Sequence, residues 1–417
     1  MKAIVLAGGY SSRFYPYASV AHKAMVKIMG KPILEYTLEG LKAAGIKEII
    51  LRVSEDGVIK NYFGDGSKFG LSIEYIVQKE ALGMGEVLLN AEKYLDGDFI
   101  LISGNHVNSK ELVKELLESQ KDSKGAVLVR KRENPWDYGV VEVKDGKLVR
   151  IVEKPKKGEE PSNLCLVSAF LLPLDIIETV KKLKMSEFNF EQEALALYAK
   201  ENTLRVKITE TETVTLKYPW DLLSTKNYLM KRIKGKIDSS AKISKSAEID
   251  TNVVVESGAQ ILGGAKIKGP AYIGKDAYVG TNALVRNNSD LEENVSVGAF
   301  AEVKNTLFGS GTTIHSGFVA DSIIGENCKI GSGFTTANRK IDRSTIEVVV
   351  KGEKVDTGLS SFGVIVGHGV KIGIKVSTMP GVVIGNNALI GPSTSVFKNV
   401  AENSKYYTKF QEIVEKK

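Results

Sequence analysis

The sequence predicts two architectures in one chain: an α/β domain with a mostly parallel sheet over residues 1–228, then an all-β coil of short strands over 237–400. Three observations predict them. The chain opens on an apolar run, Ile4, Val5 and Leu6, closed by the pair Gly8 and Gly9, which reads as a buried strand over 2–7 ending in a turn. From there to residue 228, apolar runs alternate with amphipathic stretches in the rhythm of strand, helix, strand. Beyond a basic linker at 229–236, branched aliphatics recur every six residues from Ile237 to Val303, a spacing that neither a helix nor a flat strand requires.

Composition narrows the function classes. At 417 residues, 43% apolar and 26% charged, the chain is long enough for two or more domains. No apolar run approaches the ~20 residues of a membrane span, and the start lacks the basic-then-apolar layout of a signal peptide; a cytoplasmic location is expected. Cys165 and Cys328 stand far apart and indicate neither a disulfide framework nor a cysteine metal site. The net charge of +7 suits an enzyme of anionic substrates, but the basic residues lack aromatic interleaving, so nucleic acid is not indicated as a partner.

A strand that ends in glycines and then delivers Arg13 can bring bare backbone N–H groups to a phosphate or a flat base. The same residues also suit an ordinary first strand and turn. Leu34, Leu38 and Leu41 recur at helical spacing before Gly45, predicting a helix over 34–44. Strands follow at 48–53, 73–78 and 99–103, each ending in polar or glycine residues where an open α/β sheet places its ligands. A helix is expected over 86–94, and the alternation at 140–143 and 148–152 predicts a hairpin.

Leu6, Ala7, Gly8, Gly9, Arg13, Lys23, Gly30, Lys31 and Pro32 together resemble the opening of the sugar-1-phosphate nucleotidylyltransferases, whose pattern runs L-A-G-G-x-G-T-R, then P-K and G-K-P. Ser11, Ser12 and His22 depart from it. The resemblance implies a Rossmann-like nucleotidyltransferase fold and in-line attack of a sugar-1-phosphate oxygen on the α-phosphorus of a nucleoside triphosphate, releasing pyrophosphate. It implies that Leu6, Ala7, Gly8 and Gly9, with Gln78 and Gly83, bind nucleotide; that Arg13 holds pyrophosphate and Lys23 the transition-state charge; and that Gly139, Glu153 and Lys154 bind the sugar and its phosphate. Three positions depart in kind. Asn105 stands where the family has the carboxylate that holds Mg²⁺, Thr215 falls on the second metal ligand, and Leu166 replaces an Asn that contacts sugar. An amide ligates Mg²⁺ far more weakly than a carboxylate.

The six-residue spacing runs unbroken through twelve aliphatics from Ile237 to Val303, slips near Gly309, resumes at Ile324 and Ile330, and returns from Val366 to Val396. A prism of three short strands per coil needs such spacing, with glycines such as Gly274, Gly280 and Gly298 at its tight corners. The pattern resembles the hexapeptide-repeat left-handed β-helix. Arg286, the F-x-E-x-K segment ending at Lys304, His315 and Asn338 further resemble the acetyltransferase half of the bifunctional N-acetylglucosamine-1-phosphate uridyltransferases and their archaeal relatives. That resemblance implies acetyl-CoA as co-substrate, Arg286, Lys304 and Asn338 at the sugar phosphate, His315 as base toward the sugar amine, and a homotrimer. The interruption at 339–362 is expected to form a loop. Within the tail 401–417, residues 406–416 are expected to form a charged helix capping the coil.

Three readings stay open: a two-site enzyme of nucleotide-sugar synthesis, an acetyltransferase with a non-catalytic nucleotide-binding domain, and a regulatory paralogue that binds nucleotide sugar without turnover. The sugar and the base are left open by the same departures.

Overall fold

The computed structural model describes residues 1–9, 11–20, 22–78, 83–120, 123–183, 190–214, 216–411 and 413–415. Internal contacts divide the chain into two units, Met1–Tyr10 with Pro32–Thr215, and Ser11–Lys31 with Leu216–Lys417. The segment carrying Arg13 and Lys23 therefore belongs with the second unit.

The first unit is a nine-stranded sheet with helices. Its strands are β1 (Lys2–Ala7), β2 (Glu48–Val53), β3 (Ser72–Val77), β4 (Phe99–Ser103), β5 (Gly125–Lys131), β6 (Gly139–Lys144), β7 (Lys147–Glu153), β8 (Leu164–Leu172) and β9 (Leu204–Ile208), in the order β3-β2-β1-β4-β8-β5-β9-β7-β6. β1, β2, β3 and β4 run parallel, so their carboxyl ends share one edge. β8 runs antiparallel to β4 and β5. Ile4, Val5, Ile50, Leu51, Ile100 and Leu101 are all buried, as a sheet covered on both faces requires. Helix α1 (Ile33–Ala43) buries Leu34, Leu38 and Leu41 and stops before Gly45, whose φ is +89°. The predicted strands and the hairpin, now β6 and β7, match to within a residue or two. The helix expected over 86–94 begins earlier, as α2 (Gly83–Ala91), and finishes in a 3₁₀ turn at Glu92–Tyr94.

The second unit is a left-handed parallel β-helix with three sheets of eight, nine and eight strands. In its first coils each strand pairs with one 18 residues on: Ile237 pairs with Val255, Val255 with Ile273, and Ile273 with Leu291. The inward aliphatics stack in such columns, and from Val255 to Val303 all nine at period six are buried. The first three are not: Ile237 is 53% exposed at the open end, and Ile243 and Ile249 are half-buried. Gly274 and Gly280 are required by close approach, since a Cβ at either would come within 2.7 Å of the backbone one coil on.

The frame slip has a geometric cause. Column partners stand 18 residues apart at Ile273 and Leu291, 17 at Leu291 and Phe308, and 16 at Phe308 and Ile324, so coils shorten while the columns continue. The interruption at 339–362 holds an antiparallel hairpin, Glu347–Val350 with Glu353–Asp356. The expected terminal helix over 406–416 is not formed among the described residues. Lys405–Tyr406 instead adds a parallel strand beside Leu389–Ile390, because Tyr406 packs on the column of buried aliphatics and its backbone completes the edge of that sheet. No helix of the described residues is long and apolar enough to cross a membrane.

Burial of the columns predicts a graded response to truncation. Ile267→Ala, in a fully buried position, should cost about 2–5 kcal/mol, whereas Ile237→Ala should cost less than about 1 kcal/mol. Guanidinium denaturation followed by circular dichroism checks both; equal costs would contradict the column packing.

Candidate functional sites

In the first unit the candidate nucleotide residues gather at the carboxyl ends of the parallel strands. The Gly104 N–H donates to the Leu6 carbonyl at 2.9 Å, locking the end of β4 to the end of β1. Ala7 is fully buried, and Gly9 follows at φ +122° with its N–H donating to Ser54 Oγ at 3.4 Å. Gln78 lies just past β3, and Gly83, at φ +82°, opens α2. Arg52, in β2, joins them without having been singled out from the sequence. Its guanidinium lies against Gly8 so closely that a Cβ there would run into it. Arg52 Nε donates to Gln78 Oε1 at 2.6 Å, and Gln78 Nε2 donates to Glu86 Oε2. The signal available in the sequence is an Arg inside the apolar strand Glu48–Val53.

Asn105 follows β4 in a turn, half-buried. Thr215 lies outside the described residues. Among the described residues no group of three or more His, Cys, Asp or Glu is gathered as a metal ion would need. With a neutral amide at the position in question, the residues present do not fit a Mg²⁺ site of the carboxylate kind.

The sugar-side residues do come together. Lys154, at φ +46°, pairs its Nζ with Glu153 Oε1 at 2.9 Å, and its N–H donates to the Tyr138 carbonyl at 3.0 Å. A Cβ on Gly139 would lie 2.9 Å from Glu153 Oε2 and 3.2 Å from Leu166 Cδ1, which places glycine, carboxylate and the departing Leu166 side by side. Glu191 joins them. Burial, then the neighbouring Glu153, pushes its carboxyl up to about 7, with Lys154 opposing. In sequence Glu191 is one of a polar run with Gln192 and Glu193, and no periodicity marks it out.

In the second unit Arg13 and Lys23 are neighbours. Lys23 Nζ donates to the Leu216 carbonyl at 2.7 Å. Burial lowers its ammonium to about 8, with Asp221 opposing and Arg13 adding to the drop. Asp221 accepts from the N–H groups of Lys217 and Tyr218 at 2.6 and 2.7 Å, and burial raises its carboxyl to about 6. Arg13 lines a cavity of about 340 Å³ with Ser12, Tyr15, Trp220, Val348 and Lys351. The segment is pinned to the β-helix: Tyr17 Oη donates to the Val366 carbonyl at 2.9 Å, Asn386 Nδ2 to the Pro16 carbonyl at 2.9 Å, and the N–H groups of Met29 and Gly30 donate to Asp290 and Glu292 at 2.9 Å.

The candidate acetyl-transfer residues divide into two groups. Arg286 and Lys304 are register partners in adjacent coils. Arg286 pairs with Glu302 at 2.6 Å, while Lys304 and Asn338 converge on Asp321 at 3.1 and 2.5 Å. Asn305 Nδ2 also donates to Asp321, and Asn305 Oδ1 accepts from the fully buried Lys226 at 3.0 Å. His315 stands apart from this cluster, exposed at the corner before Gly317–Ala320, whose far end Ala320 pairs with Lys304. It lines a groove of about 900 Å³ with Lys329, Lys371 and Ile374. Sequence reasoning misses Asp321 and Lys226; a buried Lys inside a helix, Asp221–Met230, carries no local mark.

The family model described as Nucleotidyl transferase matches residues 2–220, and the one described as GMPPB C-terminal domain matches 267–362. The chain is 34% identical to the Bifunctional protein GlmU of Methanococcus maripaludis, covering 100% of both chains. It is 32% identical to the Bifunctional sugar-1-phosphate nucleotidylyltransferase/acetyltransferase of Sulfurisphaera tokodaii, over 96% of this chain and 98% of that protein. It is 35% identical to the Low-salt glycan biosynthesis nucleotidyltransferase Agl11 of Haloferax volcanii, over 45% of this chain and 53% of that protein. Matched over the strand ends that gather Gly8, Gly9 and Gln78, and similar end to end to relatives named as bifunctional, the chain belongs to the nucleotidyl transferase family.

Proposed function

We propose that the chain is a two-reaction transferase of nucleotide-sugar synthesis. One reaction joins a nucleoside triphosphate to a sugar-1-phosphate and releases pyrophosphate; the other moves an acetyl group from acetyl-CoA to the amine of an amino-sugar-1-phosphate. The observation that carries this reading is the end-to-end similarity to relatives named as bifunctional. In the first reaction a sugar-phosphate oxygen attacks the α-phosphorus as the bond to pyrophosphate breaks, a displacement that depends on positioning and charge neutralisation. Lys154 would meet the incoming phosphate, and Arg13 and Lys23 the charge that develops on the triphosphate. In the second, His315 would take the proton from the amine as it attacks the thioester carbonyl and the thiol leaves. Lys329 and Lys371 line the same groove as His315 and suit the phosphates of acetyl-CoA. Arg286 and Lys304 would hold the sugar phosphate by exchanging their carboxylate partners for it. A homotrimer through the coil is part of this proposal.

A second reading, acetyl transfer alone, is favoured by Asn105. Separate assays of pyrophosphate release, with each nucleoside triphosphate and a panel of sugar-1-phosphates, and of thiol release, with acetyl-CoA and glucosamine-1-phosphate, distinguish the two. Release of both products supports the two-reaction reading; thiol alone supports the second; neither overturns both.

Three outcomes are expected. His315→Ala should reduce thiol release by about 10²- to 10⁴-fold and leave pyrophosphate release unchanged. Because Lys23 must be charged to act and titrates near 8, pyrophosphate release should fall as pH rises through that value; Lys23→Arg, charged throughout, should remove the inflection. Asn105→Asp should raise pyrophosphate release about tenfold or more at millimolar Mg²⁺, measured by a metal titration; no change would remove the missing carboxylate as the limiting defect.

A further inference from the structure

We propose that Arg52, locked to Gln78 and Glu86, selects nucleotides whose base carries a carbonyl rather than an amino group on the edge it presents. The proposal rests on the reading of the Gly8–Gly9 end as the nucleotide site and deepens it. Arg52 is only 7% exposed, its one side-chain hydrogen bond among the described residues runs from Nε to Gln78 Oε1, and its Nη1 lies over Gly8 and Gly9 without a hydrogen-bond partner among them. Burial lowers the guanidinium's pKa, with Glu86 opposing. A buried guanidinium with spare donors is a binding group for an acceptor.

The network also fixes the Gln78 amide. A glutamine free to turn over could offer either its oxygen or its nitrogen to a base. Here Oε1 accepts from Arg52 and Nε2 donates to Glu86, so turning it over would set donor against donor and acceptor against acceptor. The face offered is a guanidinium donor beside an amide oxygen acceptor. Uracil, thymine and guanine match it with a carbonyl beside a ring N–H. Cytosine and adenine present an amino group beside a bare ring nitrogen, mismatching both positions.

The test is calorimetric binding of UTP, GTP, CTP and ATP to the full chain, without sugar-phosphate, so that no turnover is needed. The wild type should bind UTP and GTP about 10- to 100-fold more tightly than CTP and ATP. Arg52→Met should narrow the difference to within about threefold, and Glu86→Gln, which frees the amide to turn over, should narrow it as well. Circular dichroism verifies that the variants are folded, and Arg52→Lys takes the place of Arg52→Met if the latter does not fold. Equal binding of all four by the wild type, undiminished selection in folded variants, or an equal loss for all four in Arg52→Met would overturn the proposal. Binding of none would overturn the nucleotide-site reading itself.

Discussion

Parallel strand pairing decides where the candidate nucleotide residues of the first unit and the register-paired residues of the coil stand. In the first unit, β1 pairs in register with β2 and β4, and β2 with β3, so residues far apart in sequence end at one edge. Gly8, Arg52, Gln78 and Asn105 owe their common location to that register. In the second unit the same bonding, one coil on, sets Arg286 beside Lys304. A one-residue slip in either would turn side chains to the opposite face.

Charge is the second constraint. Moving a cation out of water is costly unless a partner offsets it, and four of the candidate cations are met by an oxygen: Lys23 by a carbonyl, Lys154 by Glu153, Arg286 by Glu302, Lys304 by Asp321. Lys226 is the extreme case. Burial pushes its ammonium down, while burial also pushes the nearby Asp290 carboxyl up, each opposing the other's shift. Lys226 ties the helix Asp221–Met230 to the coil by donating to the Asn288 carbonyl and to Asn305 Oδ1, while Asp290 accepts from the Met29 N–H of the segment bearing Lys23. Anionic substrates would enter sites whose cations already have partners to exchange.

Local patterns are legible in the sequence to the extent that they are periodic. The coil shows itself because each inward column needs an aliphatic at a fixed spacing, and the strand ends do so because glycines and polar residues close apolar runs. The tail departs from expectation because Tyr406 and its charged neighbours suit a helix locally, whereas an open sheet edge offers backbone partners that only the fold supplies. Arg52, Glu191 and Asp321 escape sequence reasoning for a related reason: their significance is in partners distant along the chain. The segment 11–31 follows β1 directly in sequence, and nothing local tells that its hydrogen bonds go to Val366, Asn386, Asp290 and Glu292.

The irregular coils are where the second unit departs from pure structure. Between Lys304 and Leu307 the corner is one residue shorter than the corner below it, between Arg286 and Asp290. The corner bearing His315 is likewise one residue shorter than those directly below and above. Shortening has local consequences. Gly317, at φ +140°, has no room for a side chain against Phe334, and Asn305 joins Lys226 and Asp321. A solenoid that only stacked would gain nothing from breaking its own repeat at these corners, because every inward column continues through them unchanged in kind. The shortened corners instead re-aim polar side chains at two places on otherwise regular faces, and those are the places where Lys304 and His315 stand.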